Sequence, residues 1–308
     1  MDEVLKILDD YIFTPFLYPA SWPTDYWLRQ LLSLLIIVYT GATTLYFVTA
    51  SLCYAFLFDK RLMNHPKFLK NQIRTEIKCS LMSMPLMNIP TAAMFFLHHR
   101  GYGKTYDGVS SSVWLGYMSL PVEFVLVVAF TDMMIYWIHR AFHHKLLYSA
   151  IHKPHHAFKV PSPFASHAFH PVDGFMQSFP YHLFPFIFPL NKYLYLIFFV
   201  LVNFWTVSIH DGDCKIPDLL KPFINGSAHH TDHHLYYNYN YGQFFTLWDR
   251  LAGSYRNPST FEEKGPLHHV IKKNKVDSCQ EYSEAKSVHP SGWAKSLKRN
   301  DALRLTTS

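Results

Sequence analysis

The stretch "FVLVVAFTDMMIYWIHRAFHH", residues 124–144, is almost wholly apolar until it ends in three imidazoles, His139, His143 and His144. Taken from Pro121, its apolar part approaches the about 20 residues a helix needs to cross a bilayer core. Pro121 suits a first helical turn, and Glu123 suits the positive end of the helix dipole. A helix running to about Ile138 leaves the hydrocarbon just where the histidines begin. Polar side chains are costly inside lipid and mark function when they occur near it. The pattern predicts a membrane helix that delivers a histidine cluster to the aqueous edge.

The rest of the chain fits that frame. Charged residues make up 16% of the 308 residues and aromatics 17%, with a net charge of +6. The basic residues are dispersed, so no nucleic-acid partner is expected. Residues 31–58, "LLSLLIIVYTGATTLYFVTASLCYAFLF", carry no charge and predict a spanning helix. The next segment, "DKRLMNHPKFLKNQIRTEIK", is rich in Lys and Arg and is placed in the cytoplasm by the positive-inside rule. Residues 79–97 form a second apolar segment, interrupted by Pro85 and Pro90. Two crossings then return the chain to the cytoplasm at "HRAFHH". Residues 154–190, rich in proline, read as irregular, with "FPYHLFPFIFPL" re-entrant or interfacial. "YLYLIFFVLVNFWTVSI" (193–209) completes an apolar hairpin. The acidic N-terminus lacks the pattern of a cleaved signal peptide.

These readings predict an all-α membrane protein with about four transmembrane helices and a cytoplasmic histidine-rich cap for two metals. The expected divisions are a luminal or interfacial segment (1–30), the first helices and basic loop (31–120), a catalytic domain (121–267) and a polar, disordered tail (268–308).

Twenty histidines outnumber the twelve glycines, and ten of them fall in three short windows. These are His139, His143 and His144; His152, His155 and His156; and His229, His230, His233 and His234. Spacings of three and four place side chains on one helical face, close enough to share an ion. Adjacent pairs point about 100° apart, so one member can serve one metal and its neighbour another. Ten imidazoles exceed one site and suit two. The four cysteines form no Cys-x-x-Cys pair, so thiolate zinc is not expected. His210, which ends the last apolar helix in "SIHDGD", is a further candidate ligand. His167 and His170 are candidates either for ligation or for lining a substrate mouth. Asp132, two helical turns before His139, is a candidate acceptor for a ligand imidazole's N–H. His65, His98, His99, His268, His269 and His289 read as ordinary histidines.

Imidazole ligands do not choose among zinc, copper, iron and nickel. Location helps: a paired redox metal beside hydrocarbon can use dioxygen to break an unactivated C–H bond, which no side chain can do unaided. "FTDMMIYWIHRAFHH", "IHKPHH", "PSPFASHAFHPVDGF", "IHDGD", "INGSAHHTDHH" and "YNYGQFFTLWDR" resemble the membrane fatty acid hydroxylase/sterol desaturase superfamily. Within it they are most similar to the sterol C-5 desaturases, over about residues 1–267.

The resemblance implies a multi-pass enzyme of the endoplasmic reticulum membrane with two irons per chain. It implies dioxygen as oxidant and electrons from NADPH, delivered by cytochrome b5 and its reductase. The substrate would be a sterol drawn from membrane lipid and desaturated between carbons 5 and 6. The ten clustered histidines would be catalytic, and these with His210 the metal ligands. The donor would dock on basic surface such as Lys60, Arg61, Lys67, Arg74, Lys145 or Lys153. The alternatives are a sterol or fatty-acyl hydroxylase on the same scaffold, or a metal transporter, whose ligands would instead lie near the bilayer midplane.

Overall fold

The computed structural model describes residues 1–108, 119–212 and 216–288. Seven helices of ten or more residues dominate these: α1 (Trp27–Phe56), α2 (Gln72–His99), α3 (Ser119–Phe142), α4 (Pro171–Ile187), α5 (Lys192–Ile209), α6 (Ser227–Tyr236) and α7 (Pro266–Val288). The strands described are β1 (Thr105–Tyr106) and β2 (Leu190–Asn191), paired in parallel. The all-α expectation holds.

α1, α2, α3 and α5 are long and apolar enough to cross a membrane. The most apolar windows of α1, α3 and α5 are each only 28% buried within the protein. Most of that apolar surface therefore faces outward, an arrangement lipid favours and water does not. Inside, Leu34, Ile37, Phe95, Ile135, Phe184 and Phe198 form the main core between the helices.

The proline-rich stretch departs from its expectation. Residues 171–187 form the regular helix α4, with Pro180 and Pro185 inside it, and α5 follows directly to make the hairpin. His170 caps α4, its Nδ1 accepting from Val172 N at 3.3 Å. Asn191 caps α5 by accepting from Tyr193 N and Leu194 N. Glu123 acts differently from a simple dipole partner. Its carboxylate accepts from Asn191 N at 2.9 Å and from the Tyr106 hydroxyl, tying α3 to the turn of that hairpin.

Residues 158–168 are irregular yet almost wholly buried, so their backbone polar groups need partners from elsewhere. α1 and α2 supply them. Tyr46 and Ser80 both donate to Phe164 O (2.9 and 3.3 Å), and Ser83 donates to Phe169 O. Gln72 donates to Val160 O at 2.8 Å, and Glu76 accepts from Ser162 N and from its hydroxyl. This lattice of side chains holds the loop that follows His155 and His156 against the membrane helices.

The expectation of a disordered tail from 268 fails for its first part. α7 runs from Pro266 to Val288, and Leu267 packs against Phe58, Leu62 and Val160 while Val270 is buried. The apolar contact was not visible because the segment has few apolar residues and no period. Residues 289–308 lie outside the described residues, His289 among them.

At the opposite end, Arg29 in α1 is buried and pairs with Asp9 at 3.0 Å. It also donates to Trp22 O and Thr14 Oγ1, both at 2.6 Å, fastening the N-terminal segment. Arg29→Ala would leave the Asp9 carboxylate buried without its cation. We expect a loss of about 3–5 kcal/mol, read as a lower unfolding midpoint of the detergent-solubilised protein.

Candidate metal centre

Nine imidazoles converge into two adjoining groups. His139, His143, His152, His156 and His233 form one, and His155, His210, His230 and His234 form the other. Within each, one ligand atom per residue lies within 4.8 Å of all the rest. His139 and His143 come from the end of α3, and His152, His155 and His156 from the short turns after it. His210 follows α5, and His230, His233 and His234 lie on α6. The i, i+4 pairs 139/143, 152/156 and 230/234 each fall in one group. The neighbours 155/156 and 233/234 divide between groups, as a 100° step requires.

Hydrogen bonds on the far side of five of the nine rings set their chemistry. His139 Nδ1 faces Tyr241 O at 2.9 Å, His233 Nδ1 faces Tyr239 O at 2.8 Å and His234 Nδ1 faces Phe158 O at 2.9 Å. His210 Nδ1 faces Thr206 O and His152 Nδ1 faces Asp173 Oδ2, both at 2.6 Å. Oxygens there are acceptors, so in each neutral ring the proton sits on Nδ1 and the Nε2 lone pair points inward. The inward atoms then crowd together. His139 and His156 both place Nε2 3.1 Å from His152 Nε2, and His143 Nε2 is 3.1 Å from His233 Nε2. In the second group His230 Nε2 lies 3.0 Å from His210 Nε2 and 3.1 Å from His234 Nε2.

Where both rings carry their proton on Nδ1, as His139 and His152 do, no hydrogen is left to bridge the inner nitrogens. Lone pairs then oppose each other at contact distance. A cation between them resolves this, because nitrogens about 2.1 Å from one ion at right angles stand about 3 Å apart. The donor set therefore fits two metal ions bound by five and four imidazoles.

Burial keeps the rings neutral, as metal binding demands. Desolvation holds His155, His156, His230 and His234 well below the ordinary histidine range, with neighbouring imidazoles adding to the effect. It pushes His233 down to about 3 and His210 to about 4. In the unfolded chain these groups protonate near the ordinary 6.5. Stability from their burial is thus complete above that value and falls as pH drops through the interval towards 4, where the unfolded state binds more protons. Metal-free protein should show a thermal midpoint that falls as pH drops below about 6.5, and bound metal should raise the midpoint while the decline still begins near that value.

Several expectations are corrected. His144 is exposed and lies outside both groups, its Nδ1 accepting from Leu146 N at 3.4 Å beyond the end of α3. His229 also lies outside them, buried one turn back on α6 between the rings of Tyr255 and Phe261. His170 is the cap of α4. Of the two alternatives for His167, ligation is the one that fails: its ring is bound to Asn203 Oδ1 at 3.0 Å and lines a cavity. Asp132 does not reach His139. Its Oδ1 accepts from Phe244 N (2.7 Å) and Phe245 N (3.2 Å), organising the segment that carries the Tyr241 carbonyl.

The carboxylate that does orient an imidazole is Asp173, itself held by Gln177 Nε2 at 2.6 Å. Its signal in the sequence was an acid in the first turn of a helix opened by "HP", in the same stretch as the histidine boxes. The carbonyl partners carry no sequence signal. His65, His98 and His99 lie outside both groups, as do His268 and His269.

Below the second group, the cavity (≈ 130 Å³) runs between α2, α4 and α5. Phe169, whose ring lies 4.4 Å from His155, and Thr206, which holds His210, mark its upper end.

The family model for fatty acid hydroxylases matches residues 124–254, which hold all nine converging histidines. The chain is 57% identical to human lathosterol oxidase over 270 residues, 88% of this chain and 90% of that protein. It is equally similar to the mouse protein of the same name. A Delta(7)-sterol 5(6)-desaturase of Leptosphaeria maculans is 50% identical over 79% of this chain and 67% of its own. The chain belongs to the sterol C-5 desaturase family. No solved structure matches it.

Replacing Asp173 by Asn removes the charged acceptor of His152. We expect metal affinity to fall about 10- to 100-fold, measured by competition with a chelator, while His144→Ala leaves it unchanged.

Proposed function

We propose that this protein is a membrane oxidoreductase that introduces the 5,6 double bond into a Δ7-sterol, lathosterol giving 7-dehydrocholesterol. The observation that carries the reading is the pair of neutral, buried imidazole groups at the ends of apolar helices, in a chain whose relatives are named for this reaction. The ligands assigned are His139, His143, His152, His156 and His233 for one iron, and His155, His210, His230 and His234 for the other. Bound there, the irons would supply the oxidising power that lets dioxygen break unactivated C–H bonds.

The chain's own contribution is to hold and shelter. Carbonyls and Asp173 lock the tautomers of His139, His152, His210, His233 and His234, so these rings offer a lone pair without prior deprotonation. The apolar walls admit a lipid and limit water near the reacting carbons. The sterol yields only half of the electrons that reduce dioxygen to water, so an external donor gives the rest. We assign that part to NADPH through cytochrome b5 and its reductase.

The histidine end is placed on the cytoplasmic face of the endoplasmic reticulum membrane, following the basic segment 59–78. Docking is assigned to basic surface there, including Lys60, Lys67, Arg74, Lys145 and Lys153. Arg61 is engaged by Asp59 in the free protein, with contacts of 2.9 to 3.1 Å. Those opposite charges lower the Asp59 carboxyl below its usual range.

Sterol profiling of cells lacking the protein is the direct test. We expect lathosterol to accumulate and to clear when the wild-type chain is restored, and not when His155→Ala or His233→Ala is restored. An unchanged profile would refute the reading. Appearance of an alcohol instead of a diene would favour a hydroxylase on this scaffold.

A further inference from the structure

The cavity beneath the histidines has polar groups in two places. Asn203 and His167 stand near the upper end. Asn203 precedes Thr206 by three residues, about 4.5 Å along α5. Asn88 Nδ2, Tyr181 Oη and His182 Nε2 line the remainder and are buried without a hydrogen-bond partner. Asn88 lies five residues beyond Ser83, about 7.5 Å further along α2. Tyr181 lies ten residues into α4 from Pro171, about 15 Å away.

Sterol chemistry decides between the two places. The hydroxyl-bearing carbon is separated from C5 by a single methylene, so the hydroxyl must bind close to the oxidising end. An amphiphilic sterol in a leaflet also carries its hydroxyl towards the headgroups, the side on which the helices present the histidines. The cavity's volume accommodates such a polar end and not a whole sterol, whose body must lie between side chains that give way.

Asn203 has the required chemistry. Its Nδ2 donates to Phe199 O at 2.7 Å, which orients the amide, and its Oδ1 faces His167 Nε2 at 3.0 Å. Because Oδ1 can only accept, His167 Nε2 carries the proton and donates to it, and His167 Nδ1 accepts from the Ser166 hydroxyl at 3.1 Å. One amide N–H and one Oδ1 lone pair remain, a donor beside an acceptor, which matches a hydroxyl. We propose that Asn203, held in orientation by His167, receives the sterol 3-hydroxyl and so sets which C–H bonds lie beneath the histidine groups. This rests on the sterol desaturase reading above.

The test compares a Δ7-sterol with its 3-O-methyl ether, which keeps the oxygen and loses the donor. Full-length, iron-loaded protein in lipid vesicles, with its electron donor supplied, should prefer the free alcohol by at least about 10-fold in kcat/KM. Asn203→Leu should use both sterols at the same reduced rate, with metal content unchanged. His167→Phe, which keeps a ring against Tyr46, should give an intermediate ratio and serves if Asn203→Leu does not fold. A variant that slows both sterols but keeps the wild-type ratio would overturn the proposal, as would loss of the ratio in Tyr181→Phe. No preference in the wild type would also overturn it. Absence of any sterol turnover by the wild type would instead defeat the desaturase reading, and this inference with it.

Discussion

Opposed lone pairs are the constraint on which the remainder of the structure depends. The neutral imidazoles of His139 and His152 repel where their Nε2 atoms meet at 3.1 Å, because both protons are turned outward, to Tyr241 O and Asp173 Oδ2. Protonation would relieve it in water, but burial makes the imidazolium form unfavourable. The site is therefore a held arrangement, stable only because other parts of the fold oppose its relaxation. Carbonyls of Phe158, Thr206, Tyr239 and Tyr241 fix the rings from behind, and each carbonyl must itself be held.

The less regular parts of the chain gain their purpose from this demand. The buried loop after His156 is pinned by Gln72, Glu76, Ser80 and Ser83 along one side of α2 and by Tyr46 of α1. Asp249 accepts from Tyr241 N and Gly242 N, and Asp132 from Phe244 N and Phe245 N, so two buried acids brace the segment behind His139. Polar residues on membrane helices are here a scaffold for irregular backbone, which lipid would not tolerate exposed.

Much of this was legible in the residues. A charge-free run marked α1, a long apolar run marked α3, and histidine spacing separated two metal groups, because these signals are local. Proline content misled at α4: Pro171 opens the helix, while neighbouring helices accommodate Pro180 and Pro185. His144 and His229 matched the cluster pattern but not its geometry, since one follows the helix end and the other turns its ring to Tyr255 and Phe261. Asp132 satisfied a helical-face argument, yet the backbone of residues 244–245 reached it first. What could not be read was which carbonyl would lie behind which ring, since backbone groups leave no mark in a sequence.

α6 carries His233 for one group and His230 with His234 for the other. A single short rod thus spans both centres, and neither can change its shape privately. A shift of this helix moves donor atoms of both groups together, so one short element sets the spacing between them.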